Sequence, residues 1–422
     1  MDNRLAERLH HLGVKRGAGH LKPKPRRRGP GIEELLPGEV VSNSHGSFFR
    51  YRETHGLDYC HGSHALSDLL AQPRQTPAWL ARDERLTGVE PGRIAFIDTE
   101  TTGLAGGSGT YTFLVGVGVF EGDAFVIHQF FMRDYGEEPA QFEALGDLLD
   151  RMEAVVSFNG KSFDLPLLET RFIMNRQPAR LAGAPHLDLL APARRIWKHR
   201  LDSCALSSLE GNVLGVQRTQ ADVPGWLIPE LYVEYTRTGD ARNLARVFYH
   251  NAQDILSLVT LATRLCTFLA SDERLADGVL PGEDLYGLGG LLLDLGQSSR
   301  AEQVYCQATR ACSSSAVREL AMRDLAYLLK RQERRAEALP WWQELAETTG
   351  AVYACEELAK HYEWHEQDLA QAAAWTRRAI GLIEGSAPGP GQQEALADLE
   401  HRLARLARKR EGISDDWVGE EA

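Results

Sequence analysis

Four acidic residues in this sequence stand where carboxylates could do chemistry. Asp98 and Glu100 flank Thr99 directly after the apolar run Ile94-Ala95-Phe96-Ile97. A short continuous apolar run that opens into a polar loop reads as a buried central strand. The period of two along a strand then sends both carboxylates to the same side of its end. Like charges held this close repel unless one is protonated or a divalent cation compensates them, and all-oxygen ligation suits Mg²⁺ or Mn²⁺.

Asp164 comes next, in Ser157-Phe158-Asn159-Gly160-Lys161-Ser162-Phe163-Asp164-Leu165-Pro166. The apolar run 154–158 predicts a second buried strand, ending in a turn that Asn159 could brace. Asp164 then opens a helix, a place that also suits a first-turn acid. The fourth acid, Asp254, closes Tyr249-His250-Asn251-Ala252-Gln253-Asp254 and leads into the amphipathic run Ile255, Leu256, Leu258, Val259, Leu261. His250 and Asp254 are four apart, so a helix stacks them on one face.

The elements that must position these residues follow from the same patterning. Strand-rich runs over 110–118 and 124–132 surround Glu121-Gly122-Asp123, a hairpin signal. A helix is expected near 139–152 and another near 162. Three antiparallel strands followed by alternating helices and strands predict an α/β layer fold with a mixed central sheet. The last third is helical and repetitive. Arg300-Ala301-Glu302 recurs as Arg335-Ala336-Glu337 and then as Leu369-Ala370-Gln371-Ala372, periods of 35 and 36 residues. That spacing matches helix-turn-helix repeats of the tetratricopeptide type.

The order Asp, Glu, Asp, Asp, on a strand end, a helix start and a later helix, resembles the DEDD (DnaQ-like) 3′–5′ exonucleases of the RNase H-like superfamily. The texture His186-Leu187-Asp188-Leu189-Leu190, Leu201-Asp202-Ser203-Cys204-Ala205-Leu206, Asp222-Val223-Pro224-Gly225-Trp226-Leu227-Ile228-Pro229 and His250-Asn251 looks like the YprB-type branch, over roughly 33–270 and weakly through the repeats. The resemblance implies an RNase H-like α/β domain with a mixed central sheet, followed by an all-α tetratricopeptide-like domain. It also implies a two-metal nuclease in which Asp98, Glu100, Asp164 and Asp254 hold a pair of Mg²⁺ or Mn²⁺ ions, one activating water and the other stabilising the leaving 3′-oxygen. His250 would orient or deprotonate the water. In the better-known branches the last motif is Tyr-x3-Asp or His-x4-Asp, whereas here His250 holds the Tyr spacing and Tyr249 the His spacing.

Nucleic-acid contacts are expected from Thr101, Gly103, Asn159, Lys161, Arg195 and Lys198. Gly103 begins a glycine-rich loop that lacks the Gly-Lys-Ser/Thr of a P-loop, so it reads as a rim beside the metal site. Arg195 and Lys198 belong to Arg194-Arg195-Ile196-Trp197-Lys198-His199-Arg200, where cations surround an aromatic, a pattern suited to a phosphate backbone with a stacked base or to a solvated helix face with Trp197 in the core. His61 and His64 have no partner at ligand spacing and are assigned no chemistry.

The chain has 422 residues, which predicts two to three domains, and its 47 basic against 59 acidic residues give a net charge of −12. That balance excludes a surface made wholly to coat nucleic acid or anionic membrane, so contact must be local. A basic arm over 1–32, an extension over 33–90 packed on a nuclease domain over 91–272, helical repeats over 285–410 and an acidic tail over 411–422 are the expected divisions. No 18-residue charge-free apolar run occurs, and the six cysteines form no Cys-x-x-Cys, so a cytoplasmic protein with buried, reduced thiols and no membrane contact is expected. Three functions fit: a 3′–5′ exonuclease on single-stranded DNA or RNA, a nucleic-acid-binding scaffold recruiting a protein partner through its repeats, and an RNase H-type endonuclease.

Overall fold

The computed structural model describes residues 29–103, 109–178, 180–270, 280–387 and 389–411. Nearly all of the basic arm, the glycine-rich loop over 104–108 and the tail from 412 lie outside the described residues. The chain divides into two compact units, Met1–Leu190 with Ala205–Cys266, and Ala191–Cys204 with Thr267–Ala422.

In the first unit seven strands form one mixed sheet: β1 (Glu39–Asn43), β2 (Gly46–Gly56), β3 (Ile94–Thr101), β4 (Thr112–Glu121), β5 (Ala124–Phe131), β6 (Ala154–Ser157) and β7 (His186–Asp188), in the order β1-β2-β5-β4-β3-β6-β7. Pairing is antiparallel from β1 through to β3 and parallel for β3-β6 and β6-β7. β3 to β6 lie where the apolar runs predict them. β1 and β2 were expected as part of an extension packed on the domain; instead they extend its sheet, β2 pairing with β5 from Phe49 opposite Phe131 to Gly56 opposite Ala124.

Helices cover both faces. Against one, α1 (Glu138–Leu149) and α2 (Asp164–Met174) pack Phe142, Leu145, Leu168 and Phe172 onto Ile97, Val115, Val117 and Phe130. Against the other, α3 (Ile228–Thr238) and α4 (Arg242–Ala270) pack Tyr232, Val247 and Phe248 onto Phe113, Leu114 and Phe131. Leu114 and Val115, like Phe130 and Phe131, go to opposite cores, as strand alternation requires. α4 is long and apolar enough to span a membrane, yet 78% of its apolar window is buried in protein, so it serves as a core helix.

Two strand glycines let α4 approach. A Cβ on Gly116 would lie 2.1 Å from Asn251 Oδ1, and one on Gly118 2.6 Å from Ile255 Cγ2. Glycine within a strand marks such close approach.

The second unit contains all but the first residue of the short helix Leu190–Trp197 and the helices α5 (Gly282–Asp294), α6 (Ser298–Ala311), α7 (Ser315–Arg331), α8 (Arg335–Thr348), α9 (Val352–Trp364), α10 (Leu369–Glu384) and α11 (Gln392–Arg410). The fold is thus an RNase H-like α/β domain with a mixed sheet, plus an all-helical domain. Segment 191–204 groups with the helices and interrupts the domain expected over 91–272. The helical repeat is also offset from the sequence triplets. Buried Ala301, Ala338 and Ala372 occupy the fourth positions of α6, α8 and α10, whereas Ala336 is exposed. All six cysteines are free, but only Cys266 and Cys355 are buried and Cys60 is exposed, so the expectation of uniformly buried thiols is corrected.

Candidate active site

The polar end of β3 lies between the two helical layers. Ile97 faces α1 and α2, so Asp98 and Glu100 face α4, and Thr99 between them faces back towards α2. Each carboxylate is met from its own side. Asp98 Oδ2 accepts from Asn251 Nδ2 of α4 at 2.8 Å, and Asn251 Oδ1 accepts from Gln129 Nε2 of β5 at 2.8 Å. Thr99 Oγ1 donates to Asp164 Oδ1 at 2.5 Å, drawing the first residue of α2 to the strand end from the opposite layer.

The turn before α2 is built around its own acid. Asn159 adopts a left-handed φ of 66°, and its amide and that of Lys161 donate to the Asp188 carboxylate of β7 at 2.8 and 3.0 Å. Asx-type residues tolerate this conformation. Gly160 cannot be replaced cheaply, since a Cβ there would sit 2.3 Å from Ser157 Oγ.

α4 supplies Asp254 and His250 one turn apart. His250 Nδ1 lies 2.8 Å from Asp222 Oδ1 and Nε2 lies 3.6 Å from Asp254 Oδ2, so a neutral ring that carries its proton on Nδ1 would keep Nε2 as the acceptor. Arg218 Nη1 lies 3.1 Å from the same Nδ1, so the guanidinium and the Asp222 carboxylate both border that ring nitrogen. Arg218 also donates to Asp254 Oδ1 through Nη2, and to Glu210 through Nε at 2.7 Å and Nη2 at 2.6 Å. Glu210 in turn accepts from Ser257 Oγ at 2.5 Å, and Ser257 is 2.8 Å from His61 Nε2. His61, given no chemistry from sequence, thus braces the site from behind.

The electrostatics are those of crowded, buried acids. Burial, then Asp254 and Asp164, holds the Asp98 carboxyl well above the usual carboxylate range. Burial, then Asp98, Asp254 and Asp164, does the same to Glu100. Burial pushes Asp164 up to about 6 against the pull of the Thr99 hydroxyl. An all-carboxylate donor set that resists ionisation alone fits a divalent metal, which would replace that repulsion by attraction. Among the described residues no three such side chains are yet drawn close enough to grip one ion, and Asp254 is engaged by Arg218.

These raised values fix a pH dependence. Between the ordinary carboxylate range and about 6 the folded chain keeps a proton on Asp164 that the unfolded chain has lost. The stability contributed by that proton is complete at low pH and disappears as pH rises through about 6. Metal binds only the deprotonated acids, so its stabilisation grows over the same window. Chelated protein is therefore expected to lose melting temperature between pH 5 and 7.5, while the increment from added Mn²⁺ rises. An increment independent of pH, measured by differential scanning fluorimetry, would contradict this electrostatic picture.

The structure thus brings Asp98, Glu100, Asp164, Asp254 and His250 to one strand end. Thr101 is buried there, its Oγ1 donating to the carbonyl of Gly103 at 2.9 Å. Arg195 and Lys198 belong to the helical unit. Arg195 pairs with Asp294 at 3.0 Å, Lys198 is exposed, and Trp197 is fully buried edge-on to Phe268, so no base can stack on that tryptophan. Sequence reasoning missed Arg218 and gave no role to Glu210, Asp222 or Asn251, although Asp222 and Asn251 stand in the YprB-type texture. A faint signal existed for Asn251, a polar residue in line with the strand glycines that admit it.

A mixed sheet with acids on its central strand, framed by helices on both faces, defines a nuclease-type site of the RNase H-like class. Such nucleases generally use divalent metals such as Mg²⁺ and act on nucleic acid. The RNase_H superfamily description matches residues 95–266. The chain is also 30% identical over 365 residues, 84% of each protein, to "Uncharacterized protein YprB" of Bacillus subtilis (strain 168). The chain belongs to the RNase H superfamily, with that YprB as a relative.

Proposed function

We propose that this protein is a divalent-metal-dependent 3′–5′ exonuclease acting on single-stranded DNA or RNA. The observation that carries the reading is the meeting of Asp98 and Glu100 from β3, Asp164 from α2 and Asp254 from α4, beside the His250 imidazole, whose Nδ1 lies 2.8 Å from Asp222 Oδ1. Those four acids would hold Mg²⁺ or Mn²⁺, two ions in all, which when bound make water more acidic and stabilise charge on phosphoryl oxygens. The Nε2 lone pair of His250 takes the proton of the attacking water. Asp222 keeps the ring in that tautomer. Because Asp188 occupies the Asn159 and Lys161 amides, that turn offers a substrate its side chains, including the exposed Lys161 ammonium. Thr101 and Gly103 form the rim beside the 3′-terminal nucleotide. In the helical unit, the recurring buried alanines support tetratricopeptide-like hairpins that recruit a protein partner.

Purified protein with Mn²⁺ should shorten single-stranded DNA or RNA with a free 3′ end and spare the same strands with a blocked one. Cleavage of circular strands would replace this reading by an RNase H-type endonuclease, and no cleavage of any strand would leave a nucleic-acid-binding scaffold. Asp222→Asn is expected to lower kcat by about 10–100-fold, because it releases the candidate general base His250. A wild-type kcat and pH profile in this variant would remove His250 from proton transfer.

A further inference from the structure

Arg218 is a cation fixed beside the acid cluster. Its side chain is 12% exposed, and three carboxylates surround it: Glu210, Asp222 and Asp254. The contacts are unequal in kind. Glu210 grips the guanidinium with two hydrogen bonds and is itself held by Ser257, whose hydroxyl meets His61. Such a fork-to-fork pair is rigid, so Arg218 is anchored on Glu210. Its Nη2 carries two N–H groups, one used on Glu210 and the other on Asp254. Asp254 can therefore rotate away while Arg218 keeps its anchor, which makes that single contact the exchangeable one.

We infer that Arg218 is a built-in counterion for Asp254 that a divalent ion must displace, so that the site loads its ions in sequence. This inference rests on the metal-site reading above. The first ion goes to the side of Asp98, Glu100 and Asp164, none of which Arg218 contacts by hydrogen bond. The second, which requires Asp254, competes with the guanidinium. In the absence of metal Arg218 offsets one carboxylate among four crowded ones. With Asp254 turned to the second ion, Arg218 would stay on Glu210, and the Nη2 N–H that had bonded Asp254 would be free to face an incoming phosphate.

The test is Mn²⁺ binding to the full chain, followed by electron paramagnetic resonance of the free ion, without substrate. Wild type is expected to show one tight and one weaker site. Arg218→Gln removes the competitor and should tighten the second site by about tenfold. Glu210→Gln takes away the balancing charge and strengthens the hold of Arg218 on Asp254, so it should weaken the second site by a similar factor. Opposite shifts are not the signature of general damage, and Glu210→Gln carries the test alone if Arg218→Gln does not fold. Second-site affinity unchanged or weakened in Arg218→Gln, or unchanged or tightened in Glu210→Gln, overturns the inference. Absence of Mn²⁺ binding by wild type overturns it together with the metal site. Opposite shifts without strand cleavage keep the Arg218 assignment and remove the nuclease, whereas cleavage with identical affinities does the reverse.

Discussion

Asp98→Asn should lower Mn²⁺-dependent strand cleavage by at least about 10³-fold while raising the melting temperature of the metal-free protein. Both effects come from one charge. The Asp98 carboxylate is pressed by burial and by Asp254 and Asp164, while Asn251 donates to it from α4. An asparagine has the same shape and keeps an oxygen for Asn251 Nδ2, so the Gln129–Asn251 chain survives. What disappears is a negative charge that destabilises the fold without metal and attracts the metal when it is present. Active-site acids commonly set stability against activity in this way. Initial rates on a free-3′-end oligonucleotide and scanning fluorimetry of chelated protein measure the two halves. Cleavage at the wild-type rate would exclude Asp98 as a metal ligand.

The parts of this site legible in the sequence are those governed by a period. Alternation along β3 places Asp98 with Glu100, and the helical repeat of α4 places His250 with Asp254. Asp164 was legible as a helix-opening acid, but not its route to the others through Thr99, because that depends on two layers meeting at one strand end. Arg218 and Asp222 lie between elements, where no period operates, and their partners were chosen by folding. The run 194–200 shows the same limit from the other direction. Its cations and tryptophan suggest a nucleic-acid surface, yet Trp197 is core, Arg195 pairs with Asp294, and Arg200 pairs with Asp284 at 2.6 Å. The acids that claim those arginines lie in α5, far along the chain. β1 and β2 were hidden for a related reason: as sheet-extending strands they carry many half-exposed polar residues and show no sustained apolar run.

The buried pair Arg171–Glu138 governs how Asp164 is held, and its disruption should have the largest effect on stability. Arg171 and Glu138 side chains are 2% and 6% exposed, and Nε and Nη2 of Arg171 donate to the two carboxylate oxygens, each at 2.5 Å. The guanidinium also lies 4.0 Å from the centroid of the Tyr111 ring, just before β4. Arg171 sits two turns after Asp164 in α2, and Glu138 opens α1, so the pair locks together the two helices of one layer. Glu138→Ala leaves a guanidinium buried without its main partner, which typically costs about 3–5 kcal/mol. For a domain of this size that corresponds to a fall in melting temperature of roughly 10 °C. Replacing both residues by methionine removes the stranded charge and should recover most of the loss, since apolar substitutes of similar volume often match a buried ion pair. Cleavage should follow geometry more than stability. In Glu138→Ala the start of α2 is no longer pinned, so Mn²⁺ affinity falls even at temperatures where the protein is folded. If the single variant melts as wild type does, the pair is dispensable and Thr99 alone suffices to hold Asp164 at the strand end.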